Sequence, residues 1–597
     1  MSVLVSKFRC ALWASLFLLL LAFSVQSDTT PFNASQVAPN IAIVEVGDEG
    51  VTIDLEIFIG DVRTFADLLP ARLFTVAEET TEDDEARLAR FARDGISLRR
   101  SDGSILPISL KTVEPRIRVD RSSPLAGELD PLSGRPVPAP PNDPRVIFAR
   151  LFYSFEGVKP DKIELLPPRD EKGVPVVIGT HVTDRGMPVS EFRFFAIPML
   201  LKLDWEDPWY TRFRDSTLNR RSQSGTSAFL YVEPREIRVE TLIRLRELAE
   251  WTGYEFTLNK FLNSNEQIDI LTTAQEFLKT RNTLSIDDQV VQPSASRASI
   301  LSLGQRGFEV LQDGSDTNSN AAFVGVILSY PIARLPQRAE VVWDMFAEAN
   351  AEIPVIITDV ASPFFSGVTE ERPEILWTNQ LLTYEDPIIE SIPMGRDILR
   401  SQTLVYLVVA VLLCAAGLGF WILNWVFPIA SAVLLCTGMV IGAIGIFRPS
   451  SLPTLVSIVP DQTGASGVLE GLVTQINKST LEPTAENRAR VLLPLVHEES
   501  LPDVSAEIER GIAIRLPGNG IARVTSLGGL KVETLTPLSE GNGFQVLAAW
   551  EITATGGHWG HAHTRAVEYR VLAELIADAG KWKISGITVL ESQMSGG

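Results

Sequence analysis

The uncharged stretch from Ser401 to Phe447 divides the chain, and it reads SQTLVYLVVAVLLCAAGLGFWILNWVFPIASAVLLCTGMVIGAIGIF. Arg400 and Arg448 are the charged residues that bound it. As a helix, such a stretch would extend for about 70 Å, which is enough to cross the ~30 Å hydrocarbon core of a membrane twice. The sequence therefore predicts an integral membrane protein in which this stretch separates the soluble parts.

Asn424, Trp425 and Pro428 interrupt the uncharged stretch near its middle. Proline fits the first turn of a helix better than its interior, so a new helix is expected to begin there. We predict two transmembrane helices, residues 403–423 and 427–447, which are joined by a very short turn into a hairpin.

Small residues recur at a spacing of four in both predicted helices, namely Ala415 with Gly419 and Gly438 with Gly442. This spacing lets two helix backbones approach closely. Glycine is also frequent in membrane helices that do not pair. Both interpretations stay open at this point.

The N-terminus has the composition of an export signal. Lys7 and Arg9 precede the uncharged run 11–24, and small residues, Val25 and Ser27, follow at the positions that precede signal cleavage. We predict that residues 1–27 form a signal peptide or, if it is not cleaved, an anchor.

Two rules compete over the side of the membrane on which the soluble parts lie. Two crossings return the chain to the side from which it entered, so the export signal predicts that both soluble portions are extracytoplasmic, on the periplasmic side. Arg396, Arg400 and Arg448 flank the hairpin and favour the cytoplasmic side under the positive-inside rule. We follow the signal, because large domains translocate largely regardless of their charge.

Composition excludes several classes of function. The 597 residues carry a formal net charge of −21, which argues against a nucleic-acid-binding protein. The three cysteines, Cys10, Cys414 and Cys436, all lie in apolar segments. The soluble parts therefore contain no disulfide framework, no CxxC metal or redox motif and no cysteine nucleophile.

The soluble chain before the hairpin is predicted to be mainly β, in β-sandwich-like modules of a multidomain protein. Residues 28–214 form one β-rich domain with a proline-rich loop at 122–145, and residues 215–398 form a second with one or two helices. In the second domain, apolar residues from Ile237 to Leu245 alternate with charged ones such as Arg238 and Glu240. This period of two predicts a strand with a solvated charged face. No repeat is visible in the sequence.

Residues 451–597 begin with helical patterns, near 464–478, 484–497 and 501–511, and continue with long alternating strands. Helices followed by an antiparallel sheet make an α+β domain. This element order resembles the nuclear-transport-factor-like cone fold, although no motif accompanies it. The resemblance implies a sheet and helices that enclose a pocket, which some members use for catalysis and others for binding.

Three of the five histidines, His558, His561 and His563, fall within GGHWGHAHTR at 556–565. Histidines at i and i+2 on a strand share one face and could together hold Zn²⁺ or Cu²⁺. A carboxylate such as Glu498 or Glu568 could complete the site. The alternatives are a hairpin tip of structural histidines around a tryptophan, and a contact that responds to pH.

A second cluster combines carboxylates with aromatic residues in LDWEDPWYTRFR at 203–214. Such a set could bind a sugar or supply an acid and a base. More often, the tryptophans and tyrosine of such a segment pack a domain junction while its aspartates and arginines cap and pair around it. The turn that begins at Asp313 is rich in oxygen ligands but does not match a calcium-binding loop.

Nucleotide-binding loops, nucleophile elbows and the HExxH metalloprotease motif are all missing from the sequence. The chain as a whole resembles a bacterial cell-envelope protein. We expect a membrane-anchored protein with a non-enzymatic accessory, assembly or partner-binding role and with protein partners. The alternatives are a metal-binding or metal-dependent role at the histidines, and an enzyme that uses a pocket of the C-terminal domain.

Overall fold

The computed structural model describes residues 33–69, 83–123, 125–130, 134–170, 172–255, 261–304, 307–311, 314–346, 351–423, 428–447, 459–514, 522–539 and 542–594. Within helices and strands, the side chains of 396–403, 423, 428, 445–447 and 561–563 also lie outside the description. The predicted signal peptide at 1–27 lies outside it as well.

The protein is mostly β, as the sequence predicts, with 42% of residues in strands and 26% in helices. The described helices are α1 (Asp84–Asp94), α2 (Leu245–Thr252), α3 (Ser264–Lys279), α4 (Arg396–Leu423), α5 (Pro428–Phe447), α6 (Gln462–Ser479), α7 (Ala485–Val491) and α8 (Leu501–Glu507). Shorter helical turns lie at Ala34–Val37, Ile59–Leu68, Pro208–Tyr210, Ser216–Leu218, Glu498–Ser500 and Ile508–Ile512.

The first β-rich part contains two sheets. Its strands are β1 (Asn40–Val46), β2 (Gly50–Phe58), β3 (Ser97–Arg100), β4 (Ile108–Ile117), β5 (Arg145–Ser154), β6 (Lys162–Leu166), β7 (Ile178–Asp184), β8 (Met187–Pro188), β9 (Arg193–Phe194), β10 (Met199–Lys202) and β11 (Arg212–Phe213). One sheet has the order β4-β5-β2-β1-β7-β8 and the other has the order β11-β10-β6-β3. Alternate residues of both sheets, such as Ile53 and Leu201, meet in one buried cluster.

The second β-rich part also contains two main sheets, of orders β18-β17-β20-β13-β12-β22-β23 and β16-β15-β21-β24. Its strands are β12 (Thr226–Glu233), β13 (Glu236–Arg244), β14 (Phe261–Leu262), β15 (Leu284–Ile286), β16 (Gln289–Val291), β17 (Ala295–Gly304), β18 (Gly307–Val310), β19 (Thr317–Asn318), β20 (Ala322–Pro331), β21 (Arg338–Val342), β22 (Ile353–Thr358), β23 (Pro363–Val368) and β24 (Glu374–Thr378). Helix α3 begins with a capping box between Asn263 and Glu266.

The two β-rich parts share one strand connectivity. In each, a hairpin (β1–β2, β12–β13) begins the large sheet, and its first strand pairs in parallel with a later one (β7, β22). In the first part β2 pairs with β5, and β5 pairs with β4. In the second part β13 pairs with β20 in the same way, and β20 pairs with β17. The small sheets match as β3-β6-β10 and β15-β21-β24, and a helix precedes each. The structure thus contains a repeat that the sequence does not show.

Helices α4 and α5 pack against each other in an antiparallel arrangement. Gly438 lies opposite Cys414 and Gly442 lies opposite Ala410, so residue numbers rise on one helix as they fall on the other. A Cβ on Gly438 would lie 2.5 Å from Cys414 Sγ, so glycine is what permits this approach. One span, Leu404–Ile422, is long and apolar enough to cross a membrane, while the apolar part of α5, Ile429–Ile444, is shorter.

The C-terminal part has helices followed by a sheet of order β25-β29-β28-β27-β26. Its strands are β25 (Ile392–Pro393), β26 (Arg523–Pro537), β27 (Gly543–His558), β28 (His561–Asp578) and β29 (Lys581–Met594). Leu469 and Leu472 of α6 pack into a cluster with Trp550 and Tyr569 of the sheet.

Strand β25 belongs to this sheet although it precedes the apolar helices. Ile392 pairs with Trp582 and Pro393 pairs with Lys581, both on β29. The chain therefore leaves the C-terminal sheet at β25, runs through α4 and α5, and returns to the same sheet.

Candidate functional site: the C-terminal hairpin on the second sheet

The charged face of β13 is buried, and the prediction of a solvated face is wrong. Arg238 is 7%, Glu240 0% and Arg244 3% exposed. The reason lies elsewhere in the chain, because the tip of the β27–β28 hairpin covers Arg238 and Glu240, and Asp207 pairs with Arg244 at 2.9 Å.

Trp559 stands at the tip of that hairpin, and its side chain is 3% exposed. It belongs to one buried cluster with Phe229 and Ile327 of the second part and with Met187 and Trp209 of the first. The cluster thus joins all three soluble parts through a single side chain from the C-terminal one.

Two glycines make room for this insertion. A Cβ on Gly325 of β20 would lie 2.5 Å from Trp559 Cζ2. A Cβ on Gly560 would lie 2.8 Å from Phe229 Cε1, and Gly560 has a φ of +80°, which favours glycine. Trp559 itself has a φ of +46°, an uncommon value for a residue with a side chain, and it is held there by its contacts.

Backbone hydrogen bonds fix the tip on the sheet. The Trp559 N–H donates to Glu240 Oε2 at 2.6 Å, and the Gly560 N–H donates to the Tyr231 hydroxyl at 3.1 Å. Arg238 Nη2 donates to the Gly557 carbonyl at 2.8 Å. Because the Trp559 N–H and Glu240 are both buried, removing one of these two partners would leave the other unsatisfied, at a cost of about 1–3 kcal/mol.

A network of charges surrounds the tip. Arg238 lies 3.2 Å from Glu233 and 3.5 Å from Glu240, and Arg523 of β26 also pairs with Glu233. Glu233, Arg238 and Arg523, together with Arg297, line a cavity of about 190 Å³ between the second and C-terminal parts. Burial raises the pKa of Glu240 to about 7, against the opposing effect of Arg238 and of the Trp559 N–H.

Docking of the hairpin is expected to weaken as the pH rises. The pKa of Glu240 is about 7 in the docked protein and returns toward the ordinary ~4.3 of a solvated glutamate after release. The docked form therefore holds a proton that the released form gives up, so stability present at low pH is lost as the pH rises through about 7. We expect the urea midpoint of the C-terminal part to be higher at pH 5 than at pH 8.

Glu240→Gln removes the titrating group but keeps an acceptor for the Trp559 N–H. This variant should flatten the difference between the two midpoints, whereas Glu551→Gln, at an exposed glutamate of β27, should retain it. An undiminished difference in Glu240→Gln would show that another group controls the pH dependence.

The three predicted histidine ligands lie at the same tip. His558 pairs with His561 and Gly556 pairs with His563 across the hairpin, so the register places all three residues on one face. The His558 ring is buried and meets Trp559 edge to face at 4.7 Å. No group of three ligand side chains lies together in the described part of the protein, and the side chains of His561 and His563 are outside it. The zinc or copper site stays a prediction.

The aromatic and acidic segment at 203–214 packs at the junction of the two β-rich parts. Trp209 contacts Phe323 with ring centroids 5.7 Å apart, and the Arg220 guanidinium lies 3.9 Å from the Trp209 ring. Asp207 accepts a hydrogen bond from the Trp209 N–H and pairs with Arg244. These contacts engage Trp209 and Asp207, whereas Glu206 and Tyr210 of the same segment are exposed.

No protein-family model matches the chain, and no curated protein matches it. Among solved structures, the crystal structure of the intermembrane space region of the chloroplast protein ARC6 is similar to part of the chain. The identity is 22%, the match covers 22% of this chain and 97% of that one, and the TM-score is 0.17. A similarity at this TM-score supports no conclusion about fold or function.

Proposed function

We propose that this protein is a membrane-anchored, non-enzymatic scaffold of the cell envelope, whose soluble parts lie together on the extracytoplasmic side and bind protein partners. In this proposal α4 and α5 form a transmembrane hairpin, the two repeated parts are β-sandwich-like modules, and residues 451–597 form a cone-like domain similar to the nuclear-transport-factor fold.

The observation that carries the proposal is the pairing of β25 with β29. The segments that enter and leave the apolar helices belong to one sheet, so a membrane crossed by both helices would have all the soluble parts on one face. The docking of Trp559 on the second β-rich part supports the same arrangement. The predicted export signal supports the extracytoplasmic face.

The apolar interior of the C-terminal part favours a scaffold over an enzyme. The space between α6 and the sheet is occupied by apolar side chains, among them Leu472, Phe544, Trp550 and Trp582. The Tyr569 hydroxyl in this interior donates to the Ile512 carbonyl. A separate cavity of about 310 Å³ lies between α8 and the sheet, with Glu499, Asp503 and Glu574 in its lining. We propose no reaction for this domain.

Reporter fusions test this topology. Alkaline phosphatase, which is active outside the cytoplasm, and a fluorescent protein that matures in the cytoplasm are each fused after Gly597 and, separately, in the exposed turn that contains Gly103. We expect phosphatase activity at both sites and no fluorescence at either. Fluorescence at both sites would overturn the extracytoplasmic side, and opposite results at the two sites would overturn the paired crossing.

A further inference from the structure

One face of the small sheet in the first β-rich part carries a row of positive charges. Lys202 of β10 lies directly opposite Lys162 of β6 on one side and Arg212 of β11 on the other. Arg214 lies next to this row, because its N–H donates to the Leu200 carbonyl at 2.9 Å. All four cationic residues are exposed.

This row is not explained by folding. Directly opposed residues in neighbouring strands have Cβ atoms about 5 Å apart, and like charges there destabilise a sheet. Among the described residues none of the four cations forms an ion pair. Glu164, the acidic residue on this face of β6, lies opposite Leu200 and Arg99 rather than opposite the row. In the described sheet no carboxylate lies directly opposite Lys162, Lys202 or Arg212, although the net charge of the protein is −21.

The second β-rich part provides a comparison within the same chain. Its matching strands, β21 and β24, present Arg338, Glu340 and Glu374 on the corresponding face. Arg338 pairs with Glu340 at 2.9 Å and with Asp288 at 3.3 Å. The same arrangement of strands thus occurs in the second part with cations that are paired with carboxylates. The fold therefore does not require the unpaired row of cations that is found in the first part.

The row borders a concave surface. Lys162, Lys202, Arg212 and Arg214 line a cavity of about 740 Å³ between the sheet and the segment that follows β11. The described lining of this cavity contains no carboxylate. Arginine can bind two oxygens of one oxyanion side by side, and lysine adds a compact charge. Several such groups within neighbouring strands fit a compact group with more than one negative charge better than a single carboxylate.

We propose that this face is a binding site for a phosphate ester group that carries two or more negative charges, on a soluble compound or on the headgroup of a membrane lipid. The site goes beyond the anchoring and scaffolding proposed above and does not depend on the side of the membrane. Binding neutralises the row, so the ligand relieves the repulsion that the free protein retains.

The test uses the full chain in phosphatidylcholine nanodiscs with inorganic pyrophosphate as the soluble probe. Calorimetry measures the affinity, and hydrogen exchange shows whether the strands β6 and β10 become protected. Nanodiscs that contain phosphatidic acid, without pyrophosphate, are the lipid probe. Protection by pyrophosphate supports a soluble ligand, and protection by phosphatidic acid alone supports a lipid headgroup.

Lys202→Glu is the decisive variant, because it places an acidic group between Lys162 and Arg212 and so removes the repulsion. We expect a thermal midpoint no lower than that of the wild type and a loss of affinity of roughly tenfold or more. Lys279→Glu makes the same charge change at an exposed lysine of α3 and should leave binding unchanged. The proposal is overturned if neither probe protects the strands, or if Lys202→Glu binds as the wild type does.

Discussion

Replacing Trp559 with alanine is expected to release the C-terminal hairpin from the second β-rich part. The indole is buried among side chains of two other parts of the chain, and truncating such a residue costs about 3–5 kcal/mol. The hydrogen bond from the residue 559 N–H to Glu240 depends on the same placement. Hydrogen exchange of the amides at 559 and 560 measures the result, and both should exchange much faster in the variant.

Trp251→Ala is the matched control for this experiment. Trp251 packs against the cluster on the opposite face of the same sheet, away from the hairpin. The control therefore removes the same atoms and reduces the stability of the second part. In this variant the amides at 559 and 560 should exchange no faster than the amides of the second part do. Equal exchange of these amides in Trp559→Ala and in the wild type would show that the indole does not hold the hairpin.

Adding a methyl group at Gly325 should have a similar effect from the other side of the contact. A Cβ there would lie 2.5 Å from Trp559 Cζ2 and 2.7 Å from Leu301 Cδ1, which is closer than side chains approach. Overpacking of this kind costs about 1–3 kcal/mol. We expect Gly325→Ala to lower the urea midpoint of docking and to accelerate exchange at the hairpin tip.

The double variant distinguishes a specific clash from a general loss of stability. In a Trp559→Ala background the indole is absent, so Gly325→Ala should cost much less than it does in the wild type. A double-mutant cycle should therefore give a coupling energy of about 0.5–3 kcal/mol. The matched change Gly467→Ala, at a glycine of α6 with open space around it, should show no coupling with Trp559→Ala. Additive costs for Gly325→Ala would contradict the close contact between Gly325 and the indole.

Local structure was largely predictable from the sequence. The periodicity at 464–478 predicts a helix that the structure places at Gln462–Ser479, and the alternation at 237–245 predicts a strand found at Glu236–Arg244. Both depend on side chains a few residues apart, which share a face by the geometry of the element itself. The mainly β character follows from the same patterns.

The candidate site could not be predicted in the same way. Alternating Arg238 and Glu240 look like a solvated face, and the group that buries Glu240 lies 319 residues later in the chain. The histidines are the unusual feature of the hairpin in the sequence. The contact with the second β-rich part is instead made by Trp559, which lies between His558 and His561 in the turn. The repeat of strand connectivity could not be predicted from the sequence either. The inward positions of a sheet accept many different apolar residues, so two parts can share a connectivity without sharing a sequence.

The pairing of β25 with β29 also sets an order of events during synthesis. Ile392 emerges from the ribosome before the apolar helices, and its partner Trp582 emerges after them. A contact between residues so far apart in sequence forms late, because both ends of a long loop must first be present. Strand β25 therefore lacks its partner strand β29 while α4 and α5 are synthesised. Synthesis of β29 then allows β25 to pair, so the sheet is completed only after both apolar helices have been made.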